Sequence, residues 1–463
     1  MPYDGCRVAV IGAGFSGVMT AIHLLWRCNP GERVYLVERG DRVGPGLAYG
    51  TLNPRHLVNV RAENISAFAD EPDHFARWLD ALPPEQRAEA GERTIAGTFV
   101  RRSVFGAYIQ DLLREAITRQ DGADNLYLVT DEATAIRPSN GRFQLETANG
   151  RTYPIDAAVL ALGNVPDSRE QPPGYVSNPW SPDAIAPLEP GLPVVVLGTG
   201  LTMVDVCLAL AEQGFEGPIH AISRRGLLPL GHAPSAPWEH LTLTAEDGRN
   251  LLALFRAVRR EVKRAGASAV GWRAVIDAVR PEAQLFWAGF SLEDKARFVR
   301  HVRPWWDIHR HRMAPPVAAT LNALRSSAAI QTHAGRIAAI EPAKGGLRVR
   351  WRPKGQAEEQ EIIAQRVIDC TGATGDHGRS GEPLLQQMLA DGLARPAPFN
   401  LGVDCTTWGA LIGASGAPSR DLFAVGPVTR GALWEIIAVP EIRSQAEQVA
   451  ERVLEAARVR AAA

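Results

Sequence analysis

The sequence predicts an α/β fold built from two Rossmann-like dinucleotide-binding domains with a helical insertion. The first observation is a strand, glycine turn, helix and second strand over residues 7–39, and the second is a comparable unit that begins near residue 193. The third is a helical periodicity over residues 245–328, where strand signals are few. Two such units predict two nucleotide-binding modules in one chain.

The chain length sets the predicted domain organisation. At 463 residues the chain is too long for one ordinary core, which predicts about two to three domains. The order of elements predicts a first domain in two parts, residues 1–170 and 331–463. Between them we expect a second domain at residues 190–330, which contains the helical insertion 245–328.

Composition and charge argue against several classes of protein. Hydrophobic residues make up 46% and charged residues 22%, as in average soluble domains. The 50 basic and 51 acidic residues nearly cancel, so we expect neither a nucleic acid nor a membrane surface as partner. No apolar stretch approaches about eighteen residues, and the first strand follows MPYDGCR directly, without room for a signal peptide. These features predict a cytoplasmic protein.

The first glycine motif, GAGFSG, follows an apolar strand and opens a helix, which is the context that gives this pattern meaning. Its glycines permit the tight turn, the close approach of a pyrophosphate and the packing of helix on strand. The helix N-terminus then favours the diphosphate of FAD. A carboxylate at the end of the second strand is placed to bind ribose hydroxyls, the alternative being a solvated side chain. The predicted contacts are Gly12, Gly14, Ser16, Gly17, Glu38 and Arg39.

The second motif, GTGLTMVD, keeps Gly198 and Gly200 but has Met203 in place of a third small residue. The strand that follows ends in Arg224 and Arg225, where the first module has a carboxylate. Guanidinium groups there pair with a 2′-phosphate, which favours NADPH over NADH. The alternative is that both arginines are solvated loop residues. NADH also remains a candidate cofactor, because arginine can stack on adenine as well.

Three apolar strands end in glycine, at residues 159–164, 367–372 and 422–427. Strands of this kind lead a chain out of and back into a nucleotide-binding domain. The third precedes a loop and a helix, and in flavoproteins with two dinucleotide-binding domains such an element brings backbone amides to the flavin ring. Gly426 and Pro427 are therefore predicted cofactor contacts, with Pro427 in the place of the usual acidic residue.

The segment RPWWDIHRHRMAP concentrates basic and aromatic residues on one predicted helix and its exit. Indole and guanidinium groups together can sandwich a planar anion. Equally, the tryptophans can anchor the helix in the core while the basic residues fringe it. The candidate substrate contacts are Arg303, His309, Arg310 and Arg312.

Several long segments carry a family resemblance that extends over nearly the whole chain. They are residues 44–79 and the runs GTGLTMVDV, SRRGLLP, RPWWDIHRHRMAP, DCTG and GPVTRGALWEIIAVPEIR. They resemble a bacterial family of FAD/NAD(P)-binding proteins that includes the FAD-dependent urate hydroxylase of the type with two dinucleotide-binding domains. These motifs are specific for the family and not for a substrate.

The resemblance implies both a reaction and a set of flavin contacts. NAD(P)H would reduce FAD, reduced flavin would capture O2, and a C4a-hydroperoxide would deliver one oxygen to an organic substrate. Residues 44–62, among them Tyr49, Asn59 and Arg61, would line the flavin, and residues 426–439 would close its other side. Because the chemistry belongs to the flavin, no separate nucleophile is required.

We therefore expect an FAD-dependent, NAD(P)H-consuming monooxygenase whose partners are O2 and a small polar substrate. Urate is the first candidate, because it is planar and anionic. N-hydroxylation of an amine is an alternative in the same class, favoured if acidic residues face the flavin. A reductase that passes electrons to a partner and a module that binds both dinucleotides without turnover are alternatives from other classes.

The five cysteines bear on the reductase alternative. They stand at positions 6, 28, 207, 370 and 405, form no CxxC pair, and lack the histidine spacing of a zinc site. We predict buried thiols and no metal centre. The missing pair argues against a dithiol relay, because flavin enzymes that reduce disulfides usually carry two cysteines close together.

Overall fold

The structure is a computed structural model that describes residues 5–94, 97–119, 124–164, 171–268, 270–372 and 381–462. Its strands are β1 (Arg7–Ile11), β2 (Arg33–Glu38), β3 (Gly91–Thr94), β4 (Gly97–Val100), β5 (Leu126–Thr130), β6 (Ala133–Ser139), β7 (Arg142–Thr147), β8 (Thr152–Ile155), β9 (Ala157–Leu160), β10 (Tyr175–Val176), β11 (Val194–Leu197), β12 (Ile219–Ser223), β13 (Ile330–Ala343), β14 (Gly346–Pro353), β15 (Gln360–Ala364), β16 (Arg366–Asp369), β17 (Ala410–Ile412) and β18 (Pro418–Ala424).

The helices, in chain order, are α1 (Phe15–Leu25), α2 (Gly46–Tyr49), α3 (His74–Ala81), α4 (Pro84–Glu89), α5 (Arg102–Thr118), α6 (Leu201–Glu212), α7 (Ala245–Gly248), α8 (Leu251–Ala267), α9 (Trp272–Val279), α10 (Ala283–Gly289), α11 (Leu292–Arg297), α12 (Arg303–Arg310), α13 (Pro315–Ser326), α14 (Pro383–Ala390) and α15 (Val439–Ala461). No helix within the described ranges is long and apolar enough to cross a membrane.

The first sheet has the strand order β17-β18-β9-β1-β2-β5, and β1 pairs in parallel with both β2 and β9. Parallel strands are covered on both faces, which is why β1 is an unbroken apolar run whose residues 8–11 are buried. Helices α1, α5 and α15 pack on one face. The three-stranded sheet β6-β7-β8 and helix α14 pack on the other, so the two ends of the chain share one core.

The second sheet has the order β10-β16-β11-β12-β13-β14-β15, with β16 parallel to β11. Strands β13 to β16 therefore belong to the second domain, and the chain returns to the first domain after Asp369. This differs from the predicted boundary at residue 331. Residues 331–369 look like any group of strands in the sequence, and the pairing of β16 with β11 across about 170 residues is not visible in a local pattern.

The helical insertion joins β12 to β13, which pair in parallel, so helices α7 to α13 form the crossover between two neighbouring strands. Its helices run from Ala245 to Ser326, within the predicted 245–328. Aromatic residues of the insertion, including Trp287 and Phe298, share a buried cluster with Leu401 and Trp434 of the first domain. The insertion, which belongs to the second domain in sequence, thus also packs against the first domain.

A buried ion pair between α5 and α6 also joins the two domains. Arg102, the first residue of α5, donates from Nη2 to Asp205 Oδ2 of α6 at 2.7 Å, and the two side chains are only 10% and 8% exposed. Arg102 Nε also donates to Leu57 O at 3.1 Å, and His56 Nε2 donates to Asp205 O at 3.1 Å. These bonds fix helix α6 of the second domain against the segment that follows β2.

We predict that Arg102→Met lowers the free energy of unfolding by about 3–5 kcal/mol, because the Asp205 carboxylate stays buried without its partner. Urea denaturation followed by circular dichroism measures the change. The double replacement Arg102→Met with Asp205→Leu is expected to recover most of the loss. Arg119→Met breaks an exposed pair with Glu115 and is the matched control, with an expected change below about 0.5 kcal/mol. An equal effect of both single replacements would contradict the argument.

Candidate cofactor and substrate sites

The first glycine loop joins β1 to α1 at the carboxyl end of the first sheet. Gly12 has φ 97°, which glycine adopts without strain. A Cβ on residue 17 would overlap the carbonyl oxygen of Gly12, so α1 can lie this close to the loop only because residue 17 is glycine. Among the described residues no side chain caps α1 at Gly14, which leaves its first amides open to an anion.

Glu38 is held beside this loop by two backbone amides. Its Oε2 accepts from Ala13 N at 2.8 Å, and its Oε1 accepts from Gly40 N at 3.0 Å. The carboxylate therefore has a fixed position at the end of β2, where the sequence predicts a ribose contact. The neighbouring Arg39 instead pairs with Glu382 at 2.8 Å and with Glu132 at 3.5 Å, so its guanidinium links the start of α14 to the sheet.

The segment after β2 folds back onto the glycine loop. Gly44 N donates to Ala13 O at 2.8 Å, and Gly46 lies so close to the loop that a Cβ there would come within 3.0 Å of Gly14 Cα. The ring of Tyr49 lies 4.7 Å from that of Phe105, and burial raises the pKa of Tyr49 to about 12. Residues 44–49 thus form one wall of the loop, with Tyr49 packed as a neutral phenol.

Asn59 and Arg61, also predicted flavin contacts, lie where the two domains meet. His232 of the second domain donates from Nε2 to Asn59 O at 3.0 Å. Burial lowers the pKa of His232 to about 4, so the ring is neutral and the proton on Nε2 is fixed by this bond. The side chain of Arg61 lies against Gly97 of strand β4.

The second glycine loop joins β11 to α6. Gly198 has φ 92°, and a Cβ on Gly200 would meet no atom of the described residues within 4 Å. Met203 occupies the third position and is fully buried, where its sulfur accepts from the Cys207 thiol at 3.5 Å. Here the third position faces the core of the second domain, which explains why a large apolar residue replaces glycine.

Arg224 and Arg225 are neighbours in sequence with different surroundings. Arg225 donates from Nη1 to His301 O and from Nη2 to Arg300 O, both at 3.0 Å, and so binds the helical insertion. Arg224 is exposed, and within the described part of the chain its guanidinium has no hydrogen bond or ion pair. Of the two predicted phosphate ligands, Arg224 has the free guanidinium.

The loop after β18 reaches the first glycine loop. Gly426 has φ 77°, and a Cβ there would overlap Ser16 Oγ in the first turn of α1. Its amide donates to Gln445 Oε1 at 2.8 Å, and Pro427 continues a single 3₁₀ turn that runs from Gly426 to Thr429. The structure therefore brings Ser16, Gly426 and Pro427 together, as a site closed by residues 426–439 requires.

The same loop carries a buried carboxylate, Glu435, which is 1% exposed and has φ 71°. Trp306 Nε1 donates to Glu435 Oε1 at 2.7 Å, and Arg310 Nε lies 3.1 Å from Glu435 Oε2. His311 Nε2 lies 3.9 Å from Glu435 Oε1. We call the following residues the Glu435 cluster: Trp306, Asp307, Arg310, His311, Arg430, Trp434 and Glu435.

Electrostatics define the charge state of this cluster. Burial alone would raise the pKa of Glu435, but His311 in its protonated form, Arg310, the Trp306 hydrogen bond and Arg430 lower it, so the net shift is downward and the carboxylate is ionised. Burial lowers the pKa of His311, which favours a neutral ring near pH 7. Burial, reinforced by Arg303, lowers the pKa of Arg430 to about 10, and the guanidinium stays charged.

The four candidate substrate contacts fall into two groups. Arg310 belongs to the Glu435 cluster, and Arg303 borders it through Asp307, 3.3 Å away. His309 and Arg312 instead lie by Trp272, at ring-centroid distances of 4.7 Å for the imidazole and 6.0 Å for the guanidinium, and Arg312 pairs with Asp277. The tryptophans likewise divide, since Trp306 binds Glu435 while Trp305 is 50% exposed.

Sequence reasoning missed Arg430, Trp434 and Glu435. The available signal was the run TRGALWEIIA, in which two charges and an indole interrupt an apolar segment that precedes a helix. Pro427 stands where such flavoproteins usually have an acidic residue, and Glu435 follows it by eight residues. An acidic side chain would favour amine hydroxylation only if it faced the flavin.

Comparison with known proteins supports the nucleotide-binding fold. Residues 9–165 match the model of a family described as FAD-NAD(P)-binding, and this segment contains the first glycine loop and Glu38. No curated protein sequence matches the chain. Solved structures of similar fold include an ornithine hydroxylase from Pseudomonas aeruginosa, at 13% identity and a TM-score of 0.64, with 98% of this chain and 99% of that chain covered.

Two further solved structures of similar fold bind or act on different molecules according to their descriptions. One is an ornithine N-hydroxylase from Kutzneria sp. 744 with reduced FAD, NADP+ and L-ornithine, at 14% identity and TM-score 0.59, covering 97% of this chain and 99% of that one. The other is a bacillithiol disulfide reductase from Staphylococcus aureus, at 12% identity and TM-score 0.54, covering 98% and 99%. These likenesses confirm the predicted fold class, with two Rossmann-like domains.

We predict that Gly17→Ala abolishes FAD binding, because the added methyl group displaces α1 from the loop that carries the diphosphate. The measurement is the visible flavin absorbance of the purified protein after addition of excess FAD. Gly266→Ala is the control, since Gly266 lies in helix α8 and a Cβ there meets no atom within 4 Å. Retention of bound FAD by Gly17→Ala would show that the first loop does not hold the cofactor.

Proposed function

We propose that the protein is an FAD-dependent monooxygenase that consumes NAD(P)H and O2 and hydroxylates a small polar substrate, with an amine nitrogen as the favoured position. NAD(P)H would supply two electrons, one oxygen atom of O2 would enter the substrate, and the other would leave as water. The observation that carries the proposal is the presence in one chain of two units in which a strand, a glycine loop and a helix follow one another, the first with Glu38 fixed beside its loop.

The first loop fits FAD in three respects. Among the described residues no side chain caps α1 at Gly14, α1 lies close to the loop because residue 17 is glycine, and the carboxylate of Glu38 is fixed at the end of β2. When bound, flavin would supply hydride acceptance and reaction with O2. The chain's own residues would hold the diphosphate on α1 and shield the ring with residues 44–49 and 426–439.

The choice of an amine substrate is supported by the similar structures, which include ornithine hydroxylases. Urate, the first candidate from the sequence, gains no support from these comparisons. Because one of the similar structures is a disulfide reductase, the test below also covers the reductase alternative. The five cysteines of this chain form no disulfide, which gives that alternative no support.

The test begins with anaerobic addition of NADPH or NADH to the FAD-loaded protein, followed by oxygen uptake with L-ornithine, L-lysine, a simple primary amine and urate. We expect loss of flavin absorbance, then oxygen uptake that one of these compounds accelerates, with a product heavier by one oxygen in mass spectrometry. Flavin reduction without acceleration by any compound would favour the electron-transfer reductase. A flavin that neither nicotinamide reduces would contradict the proposal.

The two arginines after β12 make a separate prediction about nucleotide preference. We expect Arg224→Ala to weaken NADPH by about tenfold or more relative to NADH in the anaerobic reduction, because a charge-assisted bond to the 2′-phosphate is lost. Arg225→Ala is expected to leave the preference ratio unchanged and to lower the melting temperature, since Arg225 binds carbonyls of the insertion. An unchanged NADPH:NADH ratio in Arg224→Ala would remove that residue from the nucleotide site.

A further inference from the structure

The Glu435 cluster has more buried donors than partners for them. Within the described residues, Arg310 Nε and Nη2, Arg430 Nε and Trp434 Nε1 are buried donors without a hydrogen-bond partner, and Asp307 Oδ1 and Glu435 Oε2 are buried acceptors without one. His311 Nε2 is also buried without a partner, and it donates or accepts according to the tautomer of the ring. A buried donor without a partner costs about 1–3 kcal/mol, so a cluster with several of them is an incomplete network. Even when His311 Nε2 is counted as an acceptor, the four donor nitrogens exceed the three acceptors, which calls for a further group that accepts hydrogen bonds.

The charge count points the same way. Three guanidinium groups, on Arg303, Arg310 and Arg430, face two carboxylates, on Asp307 and Glu435, and His311 is neutral. The neighbouring pairs Arg280–Glu441 and Arg312–Asp277 each add no net charge. One positive charge therefore remains without a counter-charge in a buried setting, where an unpaired ion is costly.

An ordinary structural clamp looks different at the same interface. Arg280 of the insertion donates from Nε and Nη2 to the two oxygens of Glu441 in α15, both at 2.9 Å, and so satisfies both partners. Arg310 and Glu435 lie within ion-pair distance but lack that geometry. The interface thus contains a fully hydrogen-bonded ion pair, Arg280 with Glu441, beside a cluster in which several buried donors and acceptors lack hydrogen bonds.

The cluster runs from partly exposed to fully buried side chains and includes a flat indole ring. Side-chain exposure falls from 32% at Arg303 and 33% at Asp307 to 8% at Arg310 and 1% at Glu435. The guanidinium of Arg430 lies 4.5 Å from the centroid of the Trp434 ring. This pairing orients a cation beside an indole N–H, which suits an anion whose charge is spread over coplanar oxygens.

We infer that the Glu435 cluster is the subsite that binds the negatively charged group of the substrate, a monoanion with its charge delocalised over oxygen. The inference rests on the proposed function for the identity of the ligand as substrate. Arg430, Arg310 and Trp434 would donate to the anion, and Glu435 would hold Arg310 and Trp306 in place. A carboxylate and a planar oxyanion such as urate share this chemistry.

The test measures binding of small probes to the FAD-loaded protein by titration calorimetry, without turnover. 5-Aminopentanoate is compared with 1-aminopentane, and urate with hypoxanthine, so that each pair contrasts an anion with a neutral group in its place. We expect the anionic member of one pair to bind at least about tenfold more tightly than its counterpart. The pair that shows the difference distinguishes a carboxylate from a planar oxyanion.

Variants locate the effect within the chain. Arg430→Gln and Trp434→Phe are expected to weaken the anionic probe about tenfold or more and to leave the neutral probe unchanged. Trp434→Phe keeps an aromatic ring in the core if Arg430→Gln proves unstable. Arg280→Gln, which disrupts the satisfied clamp at the same interface, is the control and should leave probe affinities unchanged. Equal binding of anionic and neutral probes, or full affinity in both cluster variants, would overturn the inference.

Anaerobic flavin reduction by NADPH in the same preparations separates this inference from the proposed function. Reduction that proceeds normally while no probe shows a charge preference would contradict the subsite alone. Selective anion binding by a protein whose flavin is not reduced would contradict the proposed monooxygenase and leave the anion subsite standing.

Discussion

Burial of the Glu435 carboxylate is the constraint on which the arrangement of the two domains depends. An ionised carboxylate taken out of water needs donors close by, and here Trp306 and Arg310 of helix α12 provide them. Trp434, the preceding residue, packs its ring 5.0 Å from that of Trp287, whose Nε1 donates to Gly431 O at 2.9 Å. The loop that closes the first glycine turn is therefore ordered by the helical insertion of the other domain.

The insertion in turn fixes the second nucleotide-binding module. It leaves β12 and returns as β13, so its contact with the first domain constrains the sheet that carries the second glycine loop. Arg225 strengthens this link by binding carbonyl groups of the insertion just after β12. The buried pair of Arg102 and Asp205 also ties α6 to the first domain. The helix that follows the second glycine loop is thus fixed directly to the first domain, while its sheet is connected to that domain through the insertion.

What the sequence predicts well is local. The glycine turn at Gly12, the carboxylate at Glu38 and the helical span 245–328 follow from short-range patterns, and the structure places each in the expected element. The domain boundary at residue 331 depends on β16 pairing beside β11, which no local pattern shows. The sequence does not predict the Glu435 cluster for the same reason, because α12 and the loop that holds Glu435 lie more than 100 residues apart in the chain.

The cluster is a costly solution to the problem of packing an insertion on a neighbouring domain. A non-glycine residue at φ 71° costs about 1–3 kcal/mol, and a buried ion pair is often no more stable than an apolar pair of similar size. The adjacent surface is already apolar, with Trp287, Phe298 and Leu401 buried around Trp434. An apolar contact at 310 and 435 would therefore dock the insertion without unpartnered donors, although the backbone at 435 would keep its φ of 71°. Packing alone thus gives no reason for charges at these positions, whereas the proposed anion subsite gives one.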